Sequence, residues 1–160
     1  MVHRHLRRLG ARGFGLADLL VTLAIMATIT AIAWPWFSTF LQTSRVKAGA
    51  QELASVVNGA RQLAIARNTL VCVQLNGNTA VYLLNVSAAC GGGATFVGTL
   101  TKSDGTIPLA NTMQISASTA NVVFTNLGAA STAGTYTVRD PATNKTLFVV
   151  VAASGRVTIQ

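Results

Sequence analysis

The chain has 160 residues, 51% of them hydrophobic and 10% charged, with a formal net charge of +8. With a long apolar stretch near its start, it has room for a single globular domain of about a hundred residues. Four acids and two histidines, His3 and His5, are too few and too confined to suggest a metal site, and the cationic balance permits an acidic partner without demanding one.

Residues 1–13 form a basic leader containing Arg4, Arg7, Arg8 and Arg12 and ending in Gly13. From Phe14 onward, eight basic side chains face four acidic ones, so half of the formal charge belongs to the leader. Asp18 then stands at the mouth of an apolar run, and no further charge appears until Arg45. The 23 residues Leu19–Leu41 are uncharged and mostly apolar. As a helix they reach roughly 35 Å, enough for the ~30 Å hydrocarbon core of a bilayer.

The arginines before the run predict a cytoplasmic N-terminus, with the rest of the chain crossing. Trp34, Trp36 and Phe37 suit the far membrane–water interface. Pro35 removes a backbone donor and crowds the preceding turn, so a kink or local loosening is expected there. Two plainer readings stand beside a processed subunit. One is a secretory signal peptide cut at Ala31-Ile32-Ala33. The other is a signal anchor in which Asp18 is incidental. The three differ in the mature first residue: Phe14, Trp34 or Met1.

The segment Gly13-Phe14-Gly15-Leu16-Ala17-Asp18-Leu19-Leu20 resembles the leader junction of type IV pilins and pseudopilins. The resemblance implies cleavage by a prepilin peptidase after Gly13 and N-methylation of Phe14. It also implies a helix-bending role for Pro35 and a subunit-assembly role for Asp18, which would meet the N-terminal amine of a neighbouring subunit. Gly15, Ala17 and Asp18 replace the Thr, Ile and Glu usual in that pattern. Aspartate keeps the charge with one methylene less reach. A carboxylate at membrane depth is costly unless paired, which makes a functional partner the default expectation.

The helix is expected to start near Leu16 and continue past the membrane. Beyond Arg45, residues Leu53, Val56, Val57, Ala60, Leu63 and Ala64 recur at three- and four-residue spacing and mark the face that docks a domain. Gly49 and Gly59 weaken the helix by about 1 kcal/mol each relative to alanine but permit close packing. Asn68 is the expected C-terminal cap. The resulting division is leader 1–13, membrane helix 14–44, amphipathic continuation 45–68 and a periplasmic β domain 69–160.

From Thr69 the texture becomes that of strands. Leu70–Leu75 and Thr79–Val86 flank Asn76-Gly77-Asn78, a hairpin signal. Ser87–Thr95, with Gly91-Gly92-Gly93, reads as a loop rather than a phosphate cradle, since no Lys-Ser/Thr and no helix follow. Phe96–Leu100, Met113–Ala117 and Asn121–Thr125 are strand candidates. Thr135–Arg139 and Thr146–Ala152 form a hairpin through Asp140–Asn144, and Arg156–Ile159 closes the sheet. Cys72 and Cys90 permit a disulfide if this part is periplasmic, worth roughly 3 kcal/mol; the alternative is two unrelated small apolar residues.

Ala50-Gln51-Glu52-Leu53-Ala54, Gly59-Ala60-Arg61 and Ala64-Ile65-Ala66-Arg67 resemble the helix of the GspH/FimT minor pilins and pseudopilins, and Gly155-Arg156 resembles their C-terminal Gly-Arg. The fold implied is α+β and pilin-like: a long N-terminal transmembrane and amphipathic helix, then a small antiparallel two-sheet β domain. The function implied is a structural subunit of a type IV pilus or a type II secretion pseudopilus. Its partners would be the prepilin peptidase, other major and minor pilins or pseudopilins, and the inner membrane, which it would span once.

The alternative is a FimT-like subunit that binds double-stranded DNA for uptake. There the tail usually carries two arginines; here Arg156 is present and Thr158 stands at the second position, removing one phosphate contact. No cofactor is implied. Beyond the membrane run the only acids are Glu52, Asp104 and Asp140, and no nucleophile–base pair can be named, so catalysis is not expected.

Overall fold

A computed structural model of the chain describes residues 15–87, 90–99, 101–109, 113–117 and 121–160. Gly13 and Phe14, the cleavage and methylation positions, lie outside these residues. The first element is a helix of 52 residues, α1 (Leu16–Arg67). The chain divides into two compact units within this helix, one ending at Phe40 and one running from Leu41 to Gln160.

In the first unit α1 continues through Pro35 as helix. The hydroxyls of Ser38 and Thr39 both donate to the Pro35 carbonyl oxygen, at 3.0 and 2.9 Å. Thr22, Thr28 and Thr30 bond backward in the same way. Hydroxyls in an apolar helix thereby spend their donors on its own backbone.

The second unit joins the rest of α1 to two antiparallel sheets, with ten strands among the described residues. The helix ends in a Schellman motif. Asn68 takes a left-handed φ of 51°, its N–H reaches the Ile65 carbonyl, and the Thr69 N–H reaches Ala64. The chain then enters β1 (Val71–Asn76) and turns through Gly77-Asn78 into β2 (Thr79–Leu84), with Asn76 opposite Thr79. Gly77 has a positive φ, as a two-residue hairpin loop requires.

The outer edge of β2 is shared. Its end pairs with β3 (Ala94–Thr95) and its start with β4 (Thr106–Pro108). On the other side β1 pairs with β6 (Val122–Phe124), which pairs with β7 (Ala130–Thr132). The second sheet has the order β10 (Val157–Ile159), β9 (Thr146–Val151), β8 (Gly134–Arg139), β5 (Gln114–Ala117).

Two sequence expectations are corrected. Phe96 keeps one sheet bond, its N–H to the Tyr82 carbonyl, but the chain then leaves β2. A turn in which Thr101 bonds Gly98 three ways replaces the expected strand at Phe96–Leu100; Leu100 lies outside the described residues. The strand is instead Ala94–Thr95, inside the expected loop. Thr106–Pro108 and Ala130–Thr132 are two further strands with no strand signal in the sequence. Pro108 is tolerated because β4 lies along an edge, where a missing donor costs no ladder bond.

One core joins α1 to both sheets. Val46, Ala50, Leu53, Val57, Ala60 and Ala64 from the helix pack with Val71, Val73, Phe124, Tyr136, Val138 and Val149. A second, smaller cluster lies on the opposite face of β1, where Cys72 and Val123 meet Val86. Strand alternation produces this division: Val71 and Val73 face the helix while Cys72 faces away. Cys72 forms a disulfide with Cys90 across a Cα–Cα distance of 5.6 Å, tying the loop after β2 onto this second cluster.

Candidate functional site

The apolar stretch of α1 is bare. None of its most hydrophobic window is buried, and Leu19, Leu20, Leu23, Ile25, Ile29, Trp36 and Phe40 all stand exposed. A soluble monomer rarely exposes so large a contiguous apolar surface, so this one needs lipid or other apolar helices around it. Asp18 lies in the first turn of α1, also exposed. There a carboxylate complements the helix dipole, and it is the one acidic group on the bare stretch.

From Leu41 the same helix changes role and becomes the spine of the β unit. Gly49 and Gly59 set how closely it docks. A Cβ on Gly49 would fall 2.9 Å from Met113 Cγ, and one on Gly59 would fall 2.9 Å from the Tyr82 hydroxyl oxygen. That hydroxyl donates to the Val56 carbonyl at 2.6 Å, so the absent Cβ of Gly59 leaves room for a bond from sheet to helix. Burial pushes the Tyr82 phenol up to about 12.

Beside it, Gly59, Gln62, Leu63, Ala66, Tyr82, Phe96, Thr99 and Thr101 line an open groove of about 300 Å³. The Arg67 guanidinium lies 5.4 Å above the Phe96 ring, in the range of a cation–π contact.

The Gly155-Arg156 pair lies in the turn between β9 and β10. Gly155 has φ +79°, and any Cβ there would overlap the carbonyl oxygen of Gly128 and approach Arg61 Nε at 3.2 Å. Only glycine fits both the backbone conformation and the space. Arg61 from the helix, Gly128 after β6 and Gly155 before β10 thus meet in one contact. Arg61 Nε is buried there without a hydrogen-bond partner among the described residues. Arg156 is exposed beside this contact.

Arg156, Arg61 and Gly155 each carry a sequence signal, but nothing in the sequence brings them together. Gly128 carries no sequence signal of its own.

The two acids of the β unit's turns are spent on structure. Asp104 Oδ1 accepts from both the hydroxyl and the N–H of Thr106, which hold its carboxyl below the usual range. Asp140 accepts from the Ala142 N–H and the Thr143 hydroxyl, with the same result. Among the described residues no group of three or more His, Cys, Asp or Glu side chains is placed to hold a metal.

The family described as Type II transport protein GspH matches residues 49–155. Among solved structures the chain is similar to the type IV minor pilin FimU of Pseudomonas aeruginosa (16% identity, 76% of this chain and 92% of that one, TM-score 0.54). It is similar to the minor pseudopilin EpsH from the Type 2 Secretion System of Vibrio cholerae (13% identity, 72% and 95%, TM-score 0.56). It is also similar to E. coli GspH (11% identity, 73% and 88%, TM-score 0.57). No curated protein sequence matches significantly. At these identities the solved structures establish a shared pilin-like α+β fold, and the family match runs from Gly49 of α1 through the Gly155 turn. The chain therefore belongs to the GspH family of minor pilins and pseudopilins, which are structural subunits and not enzymes.

Proposed function

We propose that the chain is made as a precursor, cut after Gly13 by a prepilin peptidase and methylated on Phe14. In this reading α1 holds it in the inner membrane, spanning once, with the β unit in the periplasm. It is then drawn into a type IV pilus or a type II secretion pseudopilus beside other pilins or pseudopilins. The observation that carries the reading is the bare apolar stretch of α1 in front of a complete β unit. An anchored subunit covers that stretch with lipid, and an assembled one covers it with neighbouring helices.

Asp18 supplies charge pairing to an adjacent N-terminal amine and so fixes register. Its exchange tests the reading: Asp18→Ala should insert into membranes as the parent does but enter filaments poorly. Equal recovery of the variant with the major pilin in a pull-down would refute the role.

The arrangement at Arg156 favours a second reading, binding of double-stranded DNA. Arg61 comes up from the helix to Gly155, so Arg156 is not the only arginine at this end of the β unit. Phosphate neutralisation makes such binding salt-dependent. A gel-shift titration at two salt concentrations, with Arg156→Ala alongside, tests it; no shift at low salt removes this reading and leaves the filament subunit.

A further inference from the structure

Half of the cations that remain after the leader are gathered where the β unit begins. Arg45 and Lys47 are exposed on α1, on either side of the buried Val46. About a hundred residues later in the chain, Arg139 ends β8 and donates to the Asn144 side chain in the turn that follows, and Lys145 stands in that turn just before β9. The fold brings that turn to the helix. Lys145 Nζ donates to Thr43 Oγ1 at 2.9 Å, and the charge of Arg45 helps to hold down the Asp140 carboxyl.

Asp140 offsets one charge of the group and is held within the turn, Oδ1 by the Ala142 N–H and Oδ2 by the Thr143 hydroxyl. The next acid along the helix, Glu52, lies two turns beyond Arg45. Four cations against one engaged carboxylate leave a collar of about +3. The other cations of the unit lie elsewhere: Arg61 and Arg67 more than three turns farther along α1, Lys102 before β4 and Arg156 before β10.

We propose that this collar binds the headgroups of anionic phospholipids, of the phosphatidylglycerol kind, in the leaflet where the apolar run ends. The inference rests on the membrane-anchored reading above. A bilayer's ~30 Å hydrocarbon core within ~40–45 Å overall leaves roughly 5–7 Å of headgroup layer on each side. With the apolar run ending at Leu41, a rise of about 1.5 Å per residue puts positions 42–46 in that layer. Arg45 is therefore level with lipid phosphates, and Lys145, bonded to Thr43, is level with it. Depth selects lipid over a soluble acidic partner. Each cation near an anionic surface contributes about 1 kcal/mol, or roughly fivefold in local enrichment.

The test uses the full chain in nanodiscs of phosphatidylcholine. A small fraction of acyl-labelled acceptor lipid is added as either phosphatidylglycerol or phosphatidylcholine. Trp34 and Trp36, the chain's two tryptophans, serve as donors close to the same leaflet. Energy transfer to labelled phosphatidylglycerol should exceed that to labelled phosphatidylcholine, reporting severalfold enrichment. The excess should shrink in Arg45→Gln/Lys47→Gln, vanish when Arg139→Gln and Lys145→Gln are added, and vanish at ~1 M salt. Arg67→Gln/Lys102→Gln/Arg156→Gln should retain it.

Equal transfer to both lipids in the parent chain overturns the proposal. So does loss of the excess in the distant triple variant, which would assign it to net charge alone. Inorganic phosphate that abolishes the excess where chloride of equal ionic strength does not would mean a free-anion site, and overturns the lipid assignment. Failure of the chain to enter nanodiscs at all would instead contradict the membrane anchor, and the collar's role with it.

Discussion

The phenolic oxygen of Tyr136 accepts the backbone N–H of Val122 at 3.1 Å and donates to the Val73 carbonyl at 3.4 Å. Tyr136 lies on β8 of one sheet, while Val122 and Val73 lie on neighbouring strands of the other. A single fully buried hydroxyl therefore joins the two sheets where their side chains interdigitate. Tyr136→Phe keeps the packing and strips the Val122 N–H of its partner. Leaving a buried donor unsatisfied costs about 1–3 kcal/mol. Urea unfolding of the variant should show a loss in that range without a change in slope.

Both tyrosines have phenols pushed up to about 12 by burial, Tyr136 against the opposing effect of the Val122 N–H. The folded state therefore holds these protons more tightly than the unfolded chain, whose tyrosines ionise near 10. Stability from this source is complete below pH ~10 and is lost as pH rises from there through ~12. Absorbance titration near 295 nm should show neither phenol ionising at pH 10–11 while the fold persists. Ionisation of either one at its ordinary value would contradict the burial described here.

Gly59→Ala isolates the close approach of helix and sheet. Alanine favours the helix by about 1 kcal/mol, but its Cβ would meet the Tyr82 hydroxyl and disturb the bond to Val56. The disturbed bond should win, giving net destabilisation of about 1 kcal/mol. In a Tyr82→Phe background the oxygen is gone and the nearest ring atom lies 3.8 Å away, an ordinary contact. There the same substitution should stabilise. A double-mutant cycle by urea unfolding reads the change of sign.

Gly155→Ala faces a harder obstacle. Its Cβ would overlap the Gly128 carbonyl, a backbone atom that cannot rotate away, at a positive φ that disfavours any side chain. A loss of more than about 2 kcal/mol is expected. The Arg61 side chain should be displaced with it. A variant as stable as the parent would mean that this three-segment contact does not hold the β9–β10 turn.

Reduction of Cys72–Cys90 should cost about 3 kcal/mol, from an opened loop with a sequence separation of 18. The bridge closes onto the smaller core, so the loss should appear as looser anchoring of the loop after β2. Hydrogen exchange in β3 and its neighbours is the measurement that sees it.

Much of this architecture was legible because its signals are local. The helix follows from an apolar run that passes into a three-and-four periodicity, and Asn68 ends it in the way a left-handed cap must. The hairpins at Gly77-Asn78 and Asp140–Asn144 carry their turn residues with them. Short edge pieces were not legible. β4 has three residues ending in Pro108 and β7 has three small or polar ones, so their pairing is set by β2 and β6 rather than by their own composition. The meeting of Arg61, Gly128 and Gly155, and the approach of Lys145 to Thr43, join segments far apart in sequence. Such contacts leave no periodic trace.

Processing at the head of the apolar run is read off from the intact mass of the protein recovered from native membranes. The expected mass is that of a chain from Phe14 to Gln160 carrying one N-methyl group, a net gain of CH2, and lacking the two thiol hydrogens lost to the disulfide. A chain starting at Met1 would make α1 a plain signal anchor. One starting at Trp34 would make the run a cleaved secretory signal, and either result would contradict assembly through Phe14 and Asp18.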